Sequence, residues 1–382
     1  MVVTALLLAA AAFGLLAVFP YAIYPWTLRL LRKRPVAIDP LAPPPSATLV
    51  FCAYNEQASV PAKLDNLRAI QRLFPAIAFH CFVDKSSDAT LALLAAHPDL
   101  VTVHTAPARC GKAAGMARMM ARCDTDVVVF TDANVMLDPA SVPRLLAYFA
   151  DSEVGGVCGT LHYTNPDDSS ATATSSAYWR LEERVKRRES ASGSTMGADG
   201  SIFATRRALY PEVPVHLLDD MLVSMNVVFM GYRLVSAPDV IAYETAVTGS
   251  AAEFRRRRRI ACRAYLTHAF IRRQLLAMGW LDRYKYVGHK LLRWYSVWLG
   301  LIAGELALMA LAAAIGPVLL PLATALLIAA LATGARPIRL AGEAAGQFLA
   351  TGLGMLDAWL GRRYQTWDTP ADRAPVALAA PR

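Results

Sequence analysis

The sequence predicts an α/β fold with a doubly wound, mostly parallel sheet, carrying apolar helices at both ends of the chain. Three observations predict it. Between residues 47 and 240, short apolar runs alternate with segments of helical period, the pattern of successive βαβ units. The run 126–131 is uncharged after Asp126, as a strand covered on both faces requires. Polar side chains gather just after four successive runs, where an open parallel sheet binds its ligands.

Residues 2–23 are uncharged and long enough to cross ~30 Å of hydrocarbon. The run has no basic n-region and no clear small-residue cleavage site, so it reads as an uncleaved anchor. Tyr21, Tyr24 and Trp26 form an aromatic belt, and Arg29, Arg32, Lys33 and Arg34 follow, which places this end on the cytoplasmic side. Strands are predicted over 48–53, 78–83, 101–105, 126–131 and 154–160, and helices over 59–73, 87–96, 111–122 and 140–150. Residues 165–176, rich in Asp, Ser and Thr, read as a mobile loop. A short strand follows over 202–204, then a helix over 217–230. The apolar runs 298–315 and 318–333, separated by Gly316-Pro317, read as a membrane hairpin. Glu305 within it is expected to face protein or the headgroup zone. Residues 340–360 carry Glu343, Gln347 and Asp357 between arginines and read as an interfacial or re-entrant helix. The expected organisation is an anchor (1–26), a basic, Pro-rich linker (27–46), a cytoplasmic α/β domain (47–245), basic interfacial helices (246–294), a C-terminal membrane region (295–362) and a polar tail (363–382).

Composition agrees. The chain has 382 residues, 55% of them apolar, more than an ordinary soluble enzyme carries. Its net charge of +9 comes from 39 basic and 30 acidic residues. The basic excess clusters beside the apolar ends, at 29–34, 255–263 and 362–363. That distribution fits anionic lipid rather than nucleic acid. The six cysteines have no metal-ligand spacing and read as reduced thiols.

The strand ends carry the chemistry. Tyr54-Asn55-Glu56 follows the first strand, Asp84 to Asp88 the second, Arg109, Gly111 and Lys112 the third, and Asp132-Ala133-Asn134 the fourth. Any one of these is explained by a turn or a helix N-cap. Together they describe a nucleotide pocket: acids accept from base and ribose, Lys112 meets phosphate, and Asp132 with Asn134 offers hard oxygen ligands to Mg²⁺ or Mn²⁺. Asp219-Asp220 opens a helix, where acids also serve as caps. Gly197-Ala198-Asp199-Gly200-Ser201 allows close approach of backbone to ligand, and Asp199 and Gly200 are assigned to the acceptor side, with a plain β-turn as the competing reading. Arg256, Arg259 and Arg263 share a helix face that could meet the diphosphate; the neighbouring arginines are expected to meet lipid or water.

On these motifs the chain, from about 45 to 265, resembles the family 2 glycosyltransferases, especially the membrane-integrated branch that includes cellulose and hyaluronan synthases. Ala53-Tyr54-Asn55-Glu56 and Asp84-x-Ser86-x-Asp88 look like the family's nucleotide-binding motifs. Gly111-Lys112 looks like its loop near the phosphates, Asp132-Ala133-Asn134 stands in place of its metal-binding Asp-x-Asp, and Asp219-Asp220 resembles its Glu-Asp pair, whose second acid is the base. The resemblance implies a GT-A-type domain, a uridine-diphospho sugar as donor, and a lipid-linked or polysaccharide acceptor. A polysaccharide product would call for a homo-oligomer or an export partner. Arg256-x-x-Arg259-Ile260 departs from the synthases' Gln-x-x-Arg-Trp, and loss of that Trp puts processive polymerisation in doubt. A processive synthase subunit, a nucleotidyltransferase and a catalytically silent membrane scaffold are the other readings.

Overall fold

The computed structural model describes residues 1–39, 42–166, 168–315, 321, 336–367, 369 and 376. Eight strands form one sheet in the order β3-β2-β1-β4-β7-β6-β8-β5. They are β1 (Ala47–Ala53), β2 (Ala78–Val83), β3 (Thr102–Thr105), β4 (Val127–Asp132), β5 (Met136–Leu137), β6 (Val154–Tyr163), β7 (Ile202–Arg206) and β8 (Arg233–Glu244). β3, β2, β1 and β4 run parallel. β7 pairs antiparallel with both β4 and β6, so the sheet is mixed beyond the switch at β4. β6 and β8 are parallel again, with one register shift at Gly155 of β6 and a second where β8 bulges past Pro238-Asp239.

Strand alternation explains why the sheet is covered twice. Leu49, Phe51, Val127 and Val129 point into one core, shared with the helices Val60–Leu73 and Ser141–Ala147. Val50, Cys52, Val128 and Phe130 point into the other, shared with Lys112–Met120, Asp219–Phe229 and Ser250–Ala277. Phe130 stacks on Phe203 of β7 at 4.5 Å between ring centroids. β4 therefore emerges at the middle of the sheet beside β1, where the strand order β3-β2-β1 reverses to β4, and its terminal Asp132 lies at that switch point, the crevice where such sheets hold ligands.

Three expectations are corrected. Residues 170–176 of the predicted loop 165–176 form the first two turns of the helix Ser170–Ala191. Ser169 caps it: its hydroxyl accepts from the Thr172 N–H while Thr172 Oγ1 accepts from the Ser169 N–H, so the Ser and Thr that suggested a loop are a capping box. The N-terminal run is bent: the helix Val2–Val18 and the segment Ile23–Leu30 meet at 60°, with Pro20, which has no N–H to continue a helix, in the break. Two of the arginines expected at lipid or water are paired, Arg257 with Glu253 at 2.7 Å and Arg258 with Asp357 through two bonds of 2.6 and 2.7 Å.

Among the described residues one helix, Trp280–Ala314, is long and apolar enough to cross a membrane. It passes through a π-helical turn, Val287–Leu291, into Leu292–Ile315, and Val2–Val18 packs along it. Leu7, Leu8, Leu15, Leu301, Ile302 and Leu308 are exposed on this pair, as is Glu305. The predicted run 318–333 lies outside the described residues apart from Pro321. Arg336–Trp359 lies along Ser250–Ala277, pinned by the Arg258–Asp357 bond. All six cysteines are free.

Candidate active site

The loops after β1 and β2 are clamped into one rim. Asn55 turns the chain in the left-handed region (φ 53°), which Asn tolerates better than most residues. Its carboxamide oxygen accepts from the Ser87 N–H at 2.8 Å, and its own N–H donates to Ser86 Oγ at 3.0 Å. The Glu56 N–H donates to Thr90 Oγ1 and the Gln57 N–H to Asp88.

Asp84 is fully buried. Its two carboxylate oxygens accept from the Cys110 and Gly111 N–H groups at 2.7 and 3.1 Å. It thereby shapes the loop that starts the helix Lys112–Met120. The Arg109 guanidinium lies 3.5 Å from the centre of the Tyr54 ring, a cation–π contact.

Sequence reasoning missed the segment that closes this side. Trp367 packs edge-on against Tyr54, 6.1 Å between ring centroids, and its carbonyl accepts from Arg109. Thr369 Oγ1 donates to the Tyr54 carbonyl at 2.6 Å. The chain crosses so near Gly111 (φ +85°) that a Cβ there would come within 2.2 Å of the Gln365 carbonyl. Gln365, Trp367 and Thr369, in the stretch read as a polar tail, thus lie on the site, and a lone Trp in that polar stretch was the available signal.

Asp132 ends β4 on a rigid base. Lys63, fully buried, donates to the backbone carbonyls of Asp132 and Val135 at 3.0 and 2.7 Å. Burial pushes its ammonium down to about 7. Asn66 braces Leu137 through both carboxamide atoms. Neither Lys63 nor Asn66 stands out in a helix of ordinary amphipathic pattern. The Asn134 amide nitrogen donates to Glu244 at 3.0 Å, which leaves its carbonyl oxygen as the atom suited to a cation.

The acids of the helix Asp219–Phe229 are held differently. Asp219 is buried, with Arg263 at 3.8 Å and Lys112 at 4.0 Å. Asp220 opens onto the cavity and accepts from the Met221 N–H. Burial first, and then the charge of Asp219, lift its carboxyl to about 7. Lys112 reaches Asp132 at 2.6 Å. Burial pulls its ammonium down, but Asp132, Asp219 and Asp220 outweigh that and hold it charged.

Gly200 lies among these groups. A Cβ there would stand 3.0 Å from Lys112 Nζ, 3.4 Å from Asp220 and 3.5 Å from Asp132. Asp199 beside it is fixed by the buried Lys186 at 2.8 Å and by the Ser201 N–H, a partner that sequence reasoning did not find.

One cavity of about 630 Å³ joins Glu56, Lys112, Asp132, Asn134, Asp199, Gly200, Asp219, Asp220, Arg256 and Arg259. Tyr54, Asn55, Asp84 and Asp88 are not among its walls, whereas Trp367 is. Arg256 is tied to Glu253 at 3.5 Å. Among the described residues no group of three His, Cys, Asp or Glu could hold a metal ion unaided.

In solved structures, a mannosyltransferase from Pyrobaculum calidifontis in complex with GDP-Man and Mn²⁺ superposes with a TM-score of 0.72 at 23% identity, covering 92% of this chain and 99% of that one. S. aureus TarS 1-349 in complex with UDP-GlcNAc gives 0.46 at 14% identity, covering 86% and 95%. Glucosyl-3-phosphoglycerate synthase from Mycobacterium tuberculosis with Mn²⁺ and UDP-glucose gives 0.41 at 17%, covering 57% and 78%. No curated protein sequence matches the chain. Residues 43–262 match the family described as Glycosyltransferase like family 2; with more than half of its length covered and a GT-A-like sheet, the chain belongs to that family and is a glycosyltransferase.

Proposed function

We propose that this protein is a membrane-bound, inverting glycosyltransferase that moves one or a few sugars from a nucleoside-diphospho sugar to an acceptor presented at the membrane. The observation that carries this reading is the meeting of Asp220, Asp132 and Lys112 around Gly200 in one cavity. The acceptor oxygen bonds to the anomeric carbon on the face opposite the leaving group. The bond from that carbon to the diphosphate oxygen breaks, and the acceptor's proton passes to Asp220, whose carboxyl at about 7 suits a base near neutral pH. Asp219, held by Arg263 and Lys112, stays fixed beside it.

Asp132 and Asn134 would hold Mg²⁺ or Mn²⁺. They fit, because one Asp132 oxygen faces the space left by the missing Cβ of Gly200, and a carboxylate with an amide carbonyl suits a hard cation that draws its other ligands from phosphate. Bound there, the ion would neutralise charge on the departing diphosphate. Lys112 adds a second positive charge at the same place.

Membrane attachment is supported by the apolar helix Trp280–Ala314 and by Val2–Val18 packed along it. Arg29 to Arg34 orient the catalytic domain to the cytoplasm, and Arg336–Trp359 lies at the interface. Ile260, in the place of the synthases' Trp, favours short products over a polymer. The donor is read as a uridine-diphospho sugar by family resemblance; the neighbour with GDP-Man makes guanosine sugars the second arm of the test. Protein purified in lipid is incubated with UDP- and GDP-sugars and Mn²⁺. Release of nucleoside diphosphate from at least one donor, abolished by EDTA, is expected; no release from any donor contradicts the reading.

A further inference from the structure

One buried titratable group takes no direct part in the transfer. His289 lies on the π-helical turn Val287–Leu291 of the apolar helix and is fully buried. Its Nδ1 stands 2.9 Å from Glu189 and its Nε2 2.8 Å from Glu182. Both glutamates are buried too, two turns apart on the helix Ser170–Ala191. Glu182 also meets Lys290 and Arg293. Glu189 also accepts from the Tyr24 hydroxyl, Thr195 Oγ1 and the Met196 N–H. These partners are all donors, so neither carboxylate has a proton to offer the ring. Both ring nitrogens therefore donate, and His289 is an imidazolium.

The loop 194–200 hangs from this cluster. Lys285 donates to the Glu189 and Ser194 carbonyls at 3.1 and 3.2 Å. One oxygen of the Glu189 carboxylate holds Thr195 and Met196, each at 3.0 Å. Gly197 then turns the chain at φ +97°. The Ala198 N–H donates to Ser224 Oγ, which donates to the Asp220 backbone carbonyl at 2.6 Å. Gly200 comes to lie against Lys112, Asp220 and Asp132. Apolar packing would join two helices as well as a buried charge cluster does. Directional bonds can also set a loop, which packing cannot.

From this we infer that His289 is a positioning residue for sugar transfer. Its imidazolium bridges Glu182 and Glu189 and so fixes the Glu189 carboxylate. Glu189 anchors residues 195 and 196, and the anchored loop keeps Asp199 and Gly200 in register with Asp220 and Asp132. The π-turn brings the ring between the two glutamates, and such turns recur at functional sites. Both ring nitrogens are engaged, so His289 acts through Glu189 and not on substrate. This role rests on the transferase reading and deepens it.

The test is His289→Gln in the full chain in lipid. Its amide carries no charge and cannot replace both ring donors. Hydrogen exchange of the 194–201 backbone should quicken roughly tenfold or more, with residues 54–57 and 84–90 unchanged. With donor and Mn²⁺, kcat for nucleoside diphosphate release should fall roughly tenfold to a hundredfold, with donor KM within about twofold of the parent. Unchanged exchange at 194–201 overturns the proposal, as does a parental kcat. Equal loss of protection in β1 and β4 also overturns it, because the change is then general loosening. If His289→Gln does not fold, Thr195→Val is read by the same two measurements. It cuts one bond from Glu189 to the loop and leaves every buried charge in place, and parental values in it overturn the proposal. Absence of release from the parent would sink the transferase reading instead, while exchange still decides whether His289 sets the loop.

Discussion

The Lys112 ammonium stands 2.6 Å from the Asp132 carboxylate, and its charge also lowers the proton affinity of Asp220 against the opposing pull of burial and Asp219. The first prediction follows from that balance. Turnover should fall as pH drops through about 7, because Asp220 then holds its proton. Removing the cation in Lys112→Gln should move this acid limb to higher pH; removing the neighbouring negative charge in Asp219→Asn should move it lower. A pH–kcat profile checks both signs. A limb that stays in place in both variants would detach it from Asp220.

The same group carries a stability signature. Its folded-state pKa lies above the ordinary 3.8, so between about 4 and 7 the native state binds more protons than the unfolded chain. Stability from this group is present at low pH and is lost as pH rises through about 7. Asp220→Asn should therefore raise Tm relative to the parent more at pH 8 than at pH 5, in paired thermal melts.

Asp132→Ala should weaken donor binding and reduce turnover at least a hundredfold, because the diphosphate loses the oxygen that would hold its cation while Lys63 still fixes the strand end. Titration of donor with and without Mn²⁺ checks this: the metal dependence of affinity should vanish in the variant. Equal Mn²⁺ dependence in parent and variant would place the metal elsewhere.

Trp367→Ala tests the closing segment. Its ring covers Tyr54, and its carbonyl holds Arg109. Trp367 also walls the cavity; an aromatic contact with the donor of about 0.5–1.5 kcal/mol corresponds to a drop in donor affinity of roughly threefold to tenfold, while loss of the Tyr54 contact should lower Tm by a few degrees at most. Unchanged donor affinity, read by isothermal titration, would make the segment a bystander.

The parallel half of the sheet was legible because β1, β2 and β4 are buried on both faces and therefore read as uninterrupted apolar runs. β8 was not, since Pro238-Asp239 break its run where the strand bulges. The helix Ser170–Ala191 was hidden by the Ser and Thr of its own cap. The acids at the strand ends could be read from order and spacing. Their partners Lys63, Lys186 and Trp367 could not, because each reaches the site from an element with no motif of its own and only the fold brings it there.

The most direct test of the central claim is the single-turnover rate of Asp220→Asn. The substitution keeps the side chain's size and can still cap the helix, but an amide cannot take the acceptor's proton. A positioned base contributes roughly 10²–10⁴-fold in rate. A loss of that order is expected, with donor affinity retained and Tm not lowered. Retention of most of the parental rate would contradict the assignment of Asp220 as the base.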